Sequence, residues 1–251
     1  MSRIRVIWIS IFMLGVASGL GISYLSGFSS AESLLNSGYL ESQYPKAHII
    51  SEKEGYTVAF DGRTKNPLWV YEELSTESLS GHADRKKCRF KQDEEIPKHI
   101  QADLKDYQAS GYDRGHLAPA SDCSFSQDAI EATFLLSNIS PQAKLFNRGY
   151  WKKLENHVRE LVHVYGKLQV ISGPLYLPSE DTDGIRSVHY PVIGPNDVGV
   201  PTHFFKLIRI GESDDLCEAY VLPNQALDSS LPLESFRVDV RNLEKASGIL
   251  F

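Results

Sequence analysis

Cysteine is scarce in this 251-residue chain: Cys88, Cys123 and Cys217 are all it has. So sparse and odd a set excludes a disulfide framework, and the absence of any CxxC or Cys/His pairing excludes a structural zinc site. A single bridge between Cys88 and Cys123 is left open. No internal repeat or long low-complexity run occurs, which excludes a repeat architecture. A basic excess is missing as well: 26 Lys and Arg face 32 Asp and Glu, a net charge of −6. A protein that grips polyanions through its overall charge is thereby excluded, and any phosphate contact has to be local. Charge of either sign is absent from Val6 to Ala31.

That uncharged run follows Arg3 and Arg5 and is dominated by Ile, Val, Leu, Phe and Trp through Leu25. About 20 apolar residues span a bilayer, so residues 1–31 are expected to form a transmembrane signal-anchor or a signal peptide. Ser29-Ser30-Ala31 offers a small-residue cleavage site. Arg3 and Arg5 leave the N-terminus in the cytosol and the rest of the chain outside it. A bacterial envelope fits that topology, with the mitochondrial intermembrane space as the alternative. Residues 32–54 are polar and are expected to be a linker. Residues 55–251 then form one domain, since 42% hydrophobic and 23% charged residues suit one sizeable core.

Within that domain, residues 56–60 and 68–74 predict a hairpin turning at Asp61-Gly62. Residues 97–109 predict a polar loop or short helix. Residues 168–174 predict a strand ended by Gly173-Pro174, and residues 179–184 an acidic loop. Residues 203–210 and 217–223 predict a second hairpin, and residues 240–247 a short helix. Strand runs outnumber helices and are joined by turns. The expected class is α+β, a central antiparallel sheet flanked by helices.

Reactive side chains concentrate between Gly111 and Arg159. In Asp113-Arg114-Gly115-His116, the guanidinium can fork onto a phosphate and the imidazole can take a proton near neutrality. A surface Arg–Asp pair and a structural histidine account equally well for these four residues alone. Residues 133–139 predict a second strand, after which Asn138 and Gln142 can brace a loop. Asn147 precedes Trp151, Leu154, Val158, Leu161, Val162 and Tyr165, which fall at helical spacing. A plain N-cap accounts for Asn147, and a solvated helix face for Glu155 with Lys152 and Lys153. Taken together, the pieces make a ββα unit in which an Asn oxygen can hold a hard, largely hydrated cation such as Mg²⁺. Basic residues gather at Arg85, Lys86, Lys87, Arg89 and Lys91, and again at Lys144, Arg148, Lys152, Lys153 and Arg159. His48, His82, His99, His157, His163, His189 and His203 show no ligand spacing.

The patterns DRGH-x-A-P-A, F-L-L-S-N-I-x-P-Q and N-x-G-Y-W-x-x-L-E are long and specific. In them the chain resembles the DNA/RNA non-specific endonucleases of the ββα-metal (His-Me finger) superfamily, nearest the endonuclease G branch. ISGPLYLP, VPTHFFK, AYVLPN and LEKASG extend the likeness to the C-terminus. The resemblance implies a Mg²⁺-dependent nuclease, with Mn²⁺ as a substitute, that hydrolyses DNA and RNA to 5′-phosphate ends. It implies His116 as general base and Asn147 as the metal's single protein ligand. It makes Arg114 a phosphate contact, Asn138 a support for the histidine, and Glu155 an acceptor from metal-bound water. Arg89 matches the arginine that stabilises the transition state. Arg148 stands where the family often has Gln; it and Lys152 are expected to bind substrate beside Arg114 and Arg89. A homodimer is implied too. The competing functions are a catalytically silent, membrane-anchored nucleic-acid-binding module and a phosphodiesterase acting on another substrate.

Overall fold

The computed structural model describes residues 48–211 and 217–251. The expected membrane span or signal peptide and most of the expected linker lie outside those residues. Among the described residues no helix is long and apolar enough to cross a membrane.

The expected linker ends earlier than residue 54. Ile49–Lys53 is strand β1, paired antiparallel with β2, Tyr56–Asp61. Strand β3, Asn66–Ser75, completes the first hairpin. The sheet continues through β6 (Lys167–Leu175), β7 (His203–Ile210), β8 (Cys217–Pro223) and β9 (Arg237–Val238). The strand order is β1-β2-β3-β6-β7-β8-β9, seven strands with every neighbouring pair antiparallel. The expected α+β class holds.

Both faces of this sheet are covered, which explains why β7 carries buried apolar residues on both of its sides. Successive side chains alternate between faces. Phe204 and Ile208 join a core with Leu154, Val158 and Val162, whereas Phe205 and Leu207 pack with Leu243 on the opposite side. Leu154, Val158 and Val162 form the apolar stripe of the long helix α3, Lys152–Tyr165. That helix stops at Gly166, whose positive φ of 81° an L side chain resists. Leu243 belongs to α4, Val240–Ser247, capped by the Asp239 carboxylate on the Arg241 N–H and closed by Gly248. Two shorter helices, α1 (Leu104–Tyr107) and α2 (Gln127–Ala132), lie in the segments between strands.

A separate two-stranded sheet carries the reactive stretch. Strand β4, Tyr112–His116, pairs antiparallel with β5, Ile139–Ala143, in the register Asp113↔Gln142, Gly115↔Ser140 and His116↔Ile139. The second strand therefore lies later than residues 133–139. Residues 136–138 form a 3-10 turn, closed by the Asn138 N–H on the Leu135 carbonyl. After β5 the chain enters a helical turn, Lys144–Phe146, then a π turn, Asn147–Trp151, and runs on into α3. This is the expected ββα unit. No disulfide joins Cys88 to Cys123; both thiols are buried.

Gly115 is needed where it stands. A Cβ there would meet Cδ and Oε1 of Gln142 at 2.1 Å, and Gln142 is fully buried. Gly115→Ala should lower stability by about 1–3 kcal/mol through overpacking. Thermal unfolding checks this; an unchanged midpoint would show that Gln142 yields freely.

Candidate active site

His116 closes β4, and its backbone carbonyl accepts a hydrogen bond from Trp151 Nε1 at 3.1 Å. Its ring lies 4.9 Å from Phe134 and 5.4 Å from Phe90, centroid to centroid. Nε2 is buried and has no hydrogen-bond partner. An unpaired buried nitrogen costs free energy unless a ligand or water meets it. Burial, reinforced by the positive charges of Arg85 and Arg114, lowers the imidazole pKa from 6.5 to about 3. The ring is neutral at physiological pH and able to accept a proton.

Asn138 is fully buried behind this histidine. Its Oδ1 accepts from the Ala118 N–H at 2.9 Å, and its Nδ2 donates to the carbonyls of Ala118 and Thr133 at 3.0 and 2.9 Å. It fixes the backbone leaving His116 and does not line the cleft described below. Gln142, the other expected brace, carries both amide atoms buried and unpaired.

Asn147 is not an N-cap. Its backbone is helical, with φ −54° and ψ −48°, inside the π turn. Its Nδ2 instead donates to Asp113 Oδ2 at 3.0 Å, across from β4. The same carboxylate receives Arg148 through Nε at 2.9 Å and Nη2 at 3.0 Å. Burial alone would raise the Asp113 carboxyl. The hydrogen bonds from Arg148 and Asn147 outweigh it and hold the group below its ordinary value.

Glu155, two turns into the helical run, is not on a solvated face; its side chain is 14% exposed. Burial pushes its carboxyl up to about 7, with Lys206 opposing and Asp122 adding to the shift. Lys206 is fully buried beneath α3, donates to Ser172 Oγ on β6 and lies 4.9 Å from the Trp151 ring. Arg159, one helical turn after Glu155, donates to Asp122 and Ser121 and comes within 4.0 Å of Glu155.

A cleft of about 360 Å³ gathers these groups; Arg85, Phe90, Arg114, His116, Asn147, Arg148, Lys152, Glu155 and Arg159 line it. His116, Arg114, Asn147, Glu155, Arg148 and Lys152 thus come together as expected. The Arg114 guanidinium is held 4.4 Å over the Phe90 ring. Arg89 does not join them. Its Nη1 donates to the carbonyls of Lys86 and Cys88, and the cation that reaches the cleft from this basic run is Arg85. A 3-10 turn at Arg85–Lys87, capped by Asp84, sets which side chain points inward. Arg159 was missed as well; its spacing of four from Glu155 on the helix was the available signal.

Five cations and one carboxylate line the cleft; with Arg148 paired to Asp113 and Arg159 to Asp122, Arg85, Arg114 and Lys152 make it a local anion site on an acidic protein. A neutral imidazole, an amide and arginines around such a cleft suit attack on a phosphate ester. Fold and cleft together define a hydrolase of the ββα type. Residues 36–251 match the family model for DNA/RNA non-specific endonuclease, and the chain belongs to that family. Mitochondrial endonuclease G of Homo sapiens is 42% identical over 204 residues, which cover 80% of this chain and 69% of that protein. Mitochondrial nuclease 1 of Schizosaccharomyces pombe is 46% identical over 203 residues, covering 78% and 63%. The crystal structure of an EndoG/EndoGI complex, concerned with EndoG inhibition, superposes with a TM-score of 0.78 at 41% identity, covering 83% of this chain and 87% of that one. The protein is a nuclease, a hydrolase acting on nucleic acid.

The two shifted groups carry opposite pH signatures. An unfolded histidine binds its proton near pH 6.5, so a folded-state value of about 3 costs stability as pH falls between them. Glu155 loses its neutral-form stabilisation as pH rises from the ordinary carboxyl value of 4.5 to about 7. In metal-free protein, NMR of labelled His and Glu side chains should show His116 neutral at pH 5 and Glu155 titrating near neutrality. A His116 midpoint close to 6.5 would contradict the burial of its ring.

Proposed function

We propose that the protein is a Mg²⁺-dependent nuclease that hydrolyses phosphodiester bonds of both DNA and RNA, leaving 5′-phosphate ends, with His116 as general base. The observation that carries this reading is the buried, unpartnered His116 Nε2 on the same cleft as Asn147. No group of three or more His, Cys, Asp or Glu that could hold a metal exists among the described residues. A carboxylate cage is therefore not what would bind the ion here. The donors present fit a different arrangement: Asn147 commits Nδ2 to Asp113, which leaves Oδ1 as its free acceptor. One neutral oxygen, with Glu155 nearby to receive hydrogen bonds from water, suits a hard divalent cation that keeps most of its hydration. When bound, Mg²⁺ or Mn²⁺ supplies positive charge that stabilises the departing oxygen.

The chain's own groups do the rest. His116 Nε2 takes the proton from a water aligned for attack on phosphorus. Phosphate entering the cleft offsets the fields of Arg85 and Arg114, which raises the imidazole's basicity when it is needed. Arg114 and Arg85 hold the non-bridging oxygens as charge develops on them. Lys152 lies at the exposed rim, where it can contact the substrate backbone. The apolar N-terminal run serves as an anchor or export signal that keeps the domain away from the cytosol. The mitochondrial relatives support the mitochondrial alternative over an envelope location.

Plasmid nicking by the purified chain, with Mg²⁺ and with EDTA, tests the reading. His116→Ala should lower cleavage by about 10²–10⁴-fold while duplex binding persists. Asn147→Ala should abolish Mg²⁺-dependent turnover. Binding without cleavage in the wild type would instead identify a silent nucleic-acid-binding module. A second comparison separates the two arginines: Arg85→Ala should cost about 10²–10³-fold in kcat, and Arg89→Ala little. The reverse order would return the transition-state contact to Arg89.

A further inference from the structure

Arg148 was expected to reach for substrate. Instead its guanidinium meets Asp113 edge-on: Nε to Oδ2 at 2.9 Å and Nη2 to Oδ1 at 3.0 Å. Oδ2 also accepts from Asn147 Nδ2 at 3.0 Å, so one carboxylate oxygen is shared by the arginine and the asparagine. The residues come from two elements, Asp113 from β4 and the other two from the π turn that leads into α3.

A side-chain amide has a built-in ambiguity, because a half-turn exchanges its oxygen for its NH₂ and presents a cation with the wrong end. An ionised carboxylate accepts only, so it draws the NH₂ and turns Oδ1 the other way. The carboxylate must then itself be held in plane. A planar fork does that better than one donor, since two parallel hydrogen bonds fix rotation about the Asp113 side chain. Arg148 is well exposed, with 69% of its side chain accessible, and such a pair contributes little stability. Its consequence is orientation.

We propose that Arg148 is a positioning residue, which acts through Asp113 to orient the Asn147 amide for a divalent cation. This rests on the metal reading given above. In the family this chain resembles, a Gln often occupies the position; here a charged fork replaces it. Arg148 and Asp113 therefore tune metal affinity and turnover, while Arg85, Arg114 and Lys152 meet the phosphates.

The test measures Mn²⁺ binding to the full chain without substrate, from the free-ion electron paramagnetic resonance signal, beside kinetics on a short duplex. Arg148→Gln should weaken Mn²⁺ binding by about tenfold, the lower end for loss of a group that orients a ligand. It should lower kcat, with KM and its salt dependence unchanged. Asp113→Ala should weaken binding at least as much, and Arg148→Gln added to it should change nothing further. Arg148→Lys, which keeps the charge but not the fork, should not restore wild-type affinity. Unchanged Mn²⁺ affinity in Arg148→Gln, with a raised KM and a shallower salt dependence, would overturn the proposal and return Arg148 to the substrate. Additive effects of the two substitutions would overturn it too. Asn147→Ala is the control: if it weakens Mn²⁺ binding and Arg148→Gln does not, this assignment alone fails. If Asn147→Ala also leaves binding intact, the metal reading fails and takes this assignment with it.

Discussion

One hydrogen bond sets the geometry on which the rest of the cleft depends. Trp151 is fully buried and gives its only donor to the backbone carbonyl of His116. The indole packs against Phe146 and Phe204, at 5.7 and 5.6 Å between ring centroids, so it cannot tilt without opening the main core. Phe204 in turn belongs to β7 of the large sheet. Through this single ring the strand that ends in the imidazole is tied to the turn that carries Asn147, and both are tied to the sheet. The two catalytic candidates lie 31 positions apart in the chain. They share a cleft because an aromatic wedge holds their elements together.

Electrostatics follows from the same packing. The chain is acidic as a whole, yet the cleft wall is strongly basic. Beneath α3 the sheet places Lys206, Ser172 and Glu72 on neighbouring strands, with Lys206 and Ser172 in direct register and Glu72 two residues beyond the partner of Ser172. All three are buried. Burial drives Lys206 and Glu72 toward their neutral forms, and Lys206, Asp122, Arg159 and Arg85 set the field that Glu155 feels. Buried charge of this kind is a poor source of stability, because desolvation consumes most of the attraction. Its effect here is on Glu155, the carboxylate at the cleft wall.

Several elements were legible from local pattern. The hairpin at residues 56–75, the paired strands at 203–210 and 217–223, the strand that follows Gly166, and the helix at 240–247 all lie where turn residues and periodicity put them. The second strand of the ββα unit was misplaced for a physical reason. Phe134 is apolar because it packs on the His116 ring, and Leu136 because it packs with Tyr107 and Ile139, not because they alternate across a sheet. The true strand contains Pro141 and Gln142, poor strand formers that are tolerated in a two-stranded ladder. Asn147 looked like a cap because a polar residue of this type ahead of a periodic segment commonly is one. Its helical backbone inside the π turn, and its partner Asp113 across the fold, exclude that.

The sequence by itself determined the class, the ββα order, and the set of residue types needed for phosphate chemistry, since these depend on composition, periodicity and short motifs. Tertiary structure decided which of two nearby arginines enters the cleft: a single 3-10 turn rotates Arg85 inward and leaves Arg89 bonded to backbone. It decided that Arg148 is spent on Asp113, and that Glu155 and Lys206 share a buried field. Side-chain direction, shared hydrogen-bond acceptors and local dielectric arise between elements distant along the chain. They exist only once the sheet, the helix and the indole wedge have closed on one another.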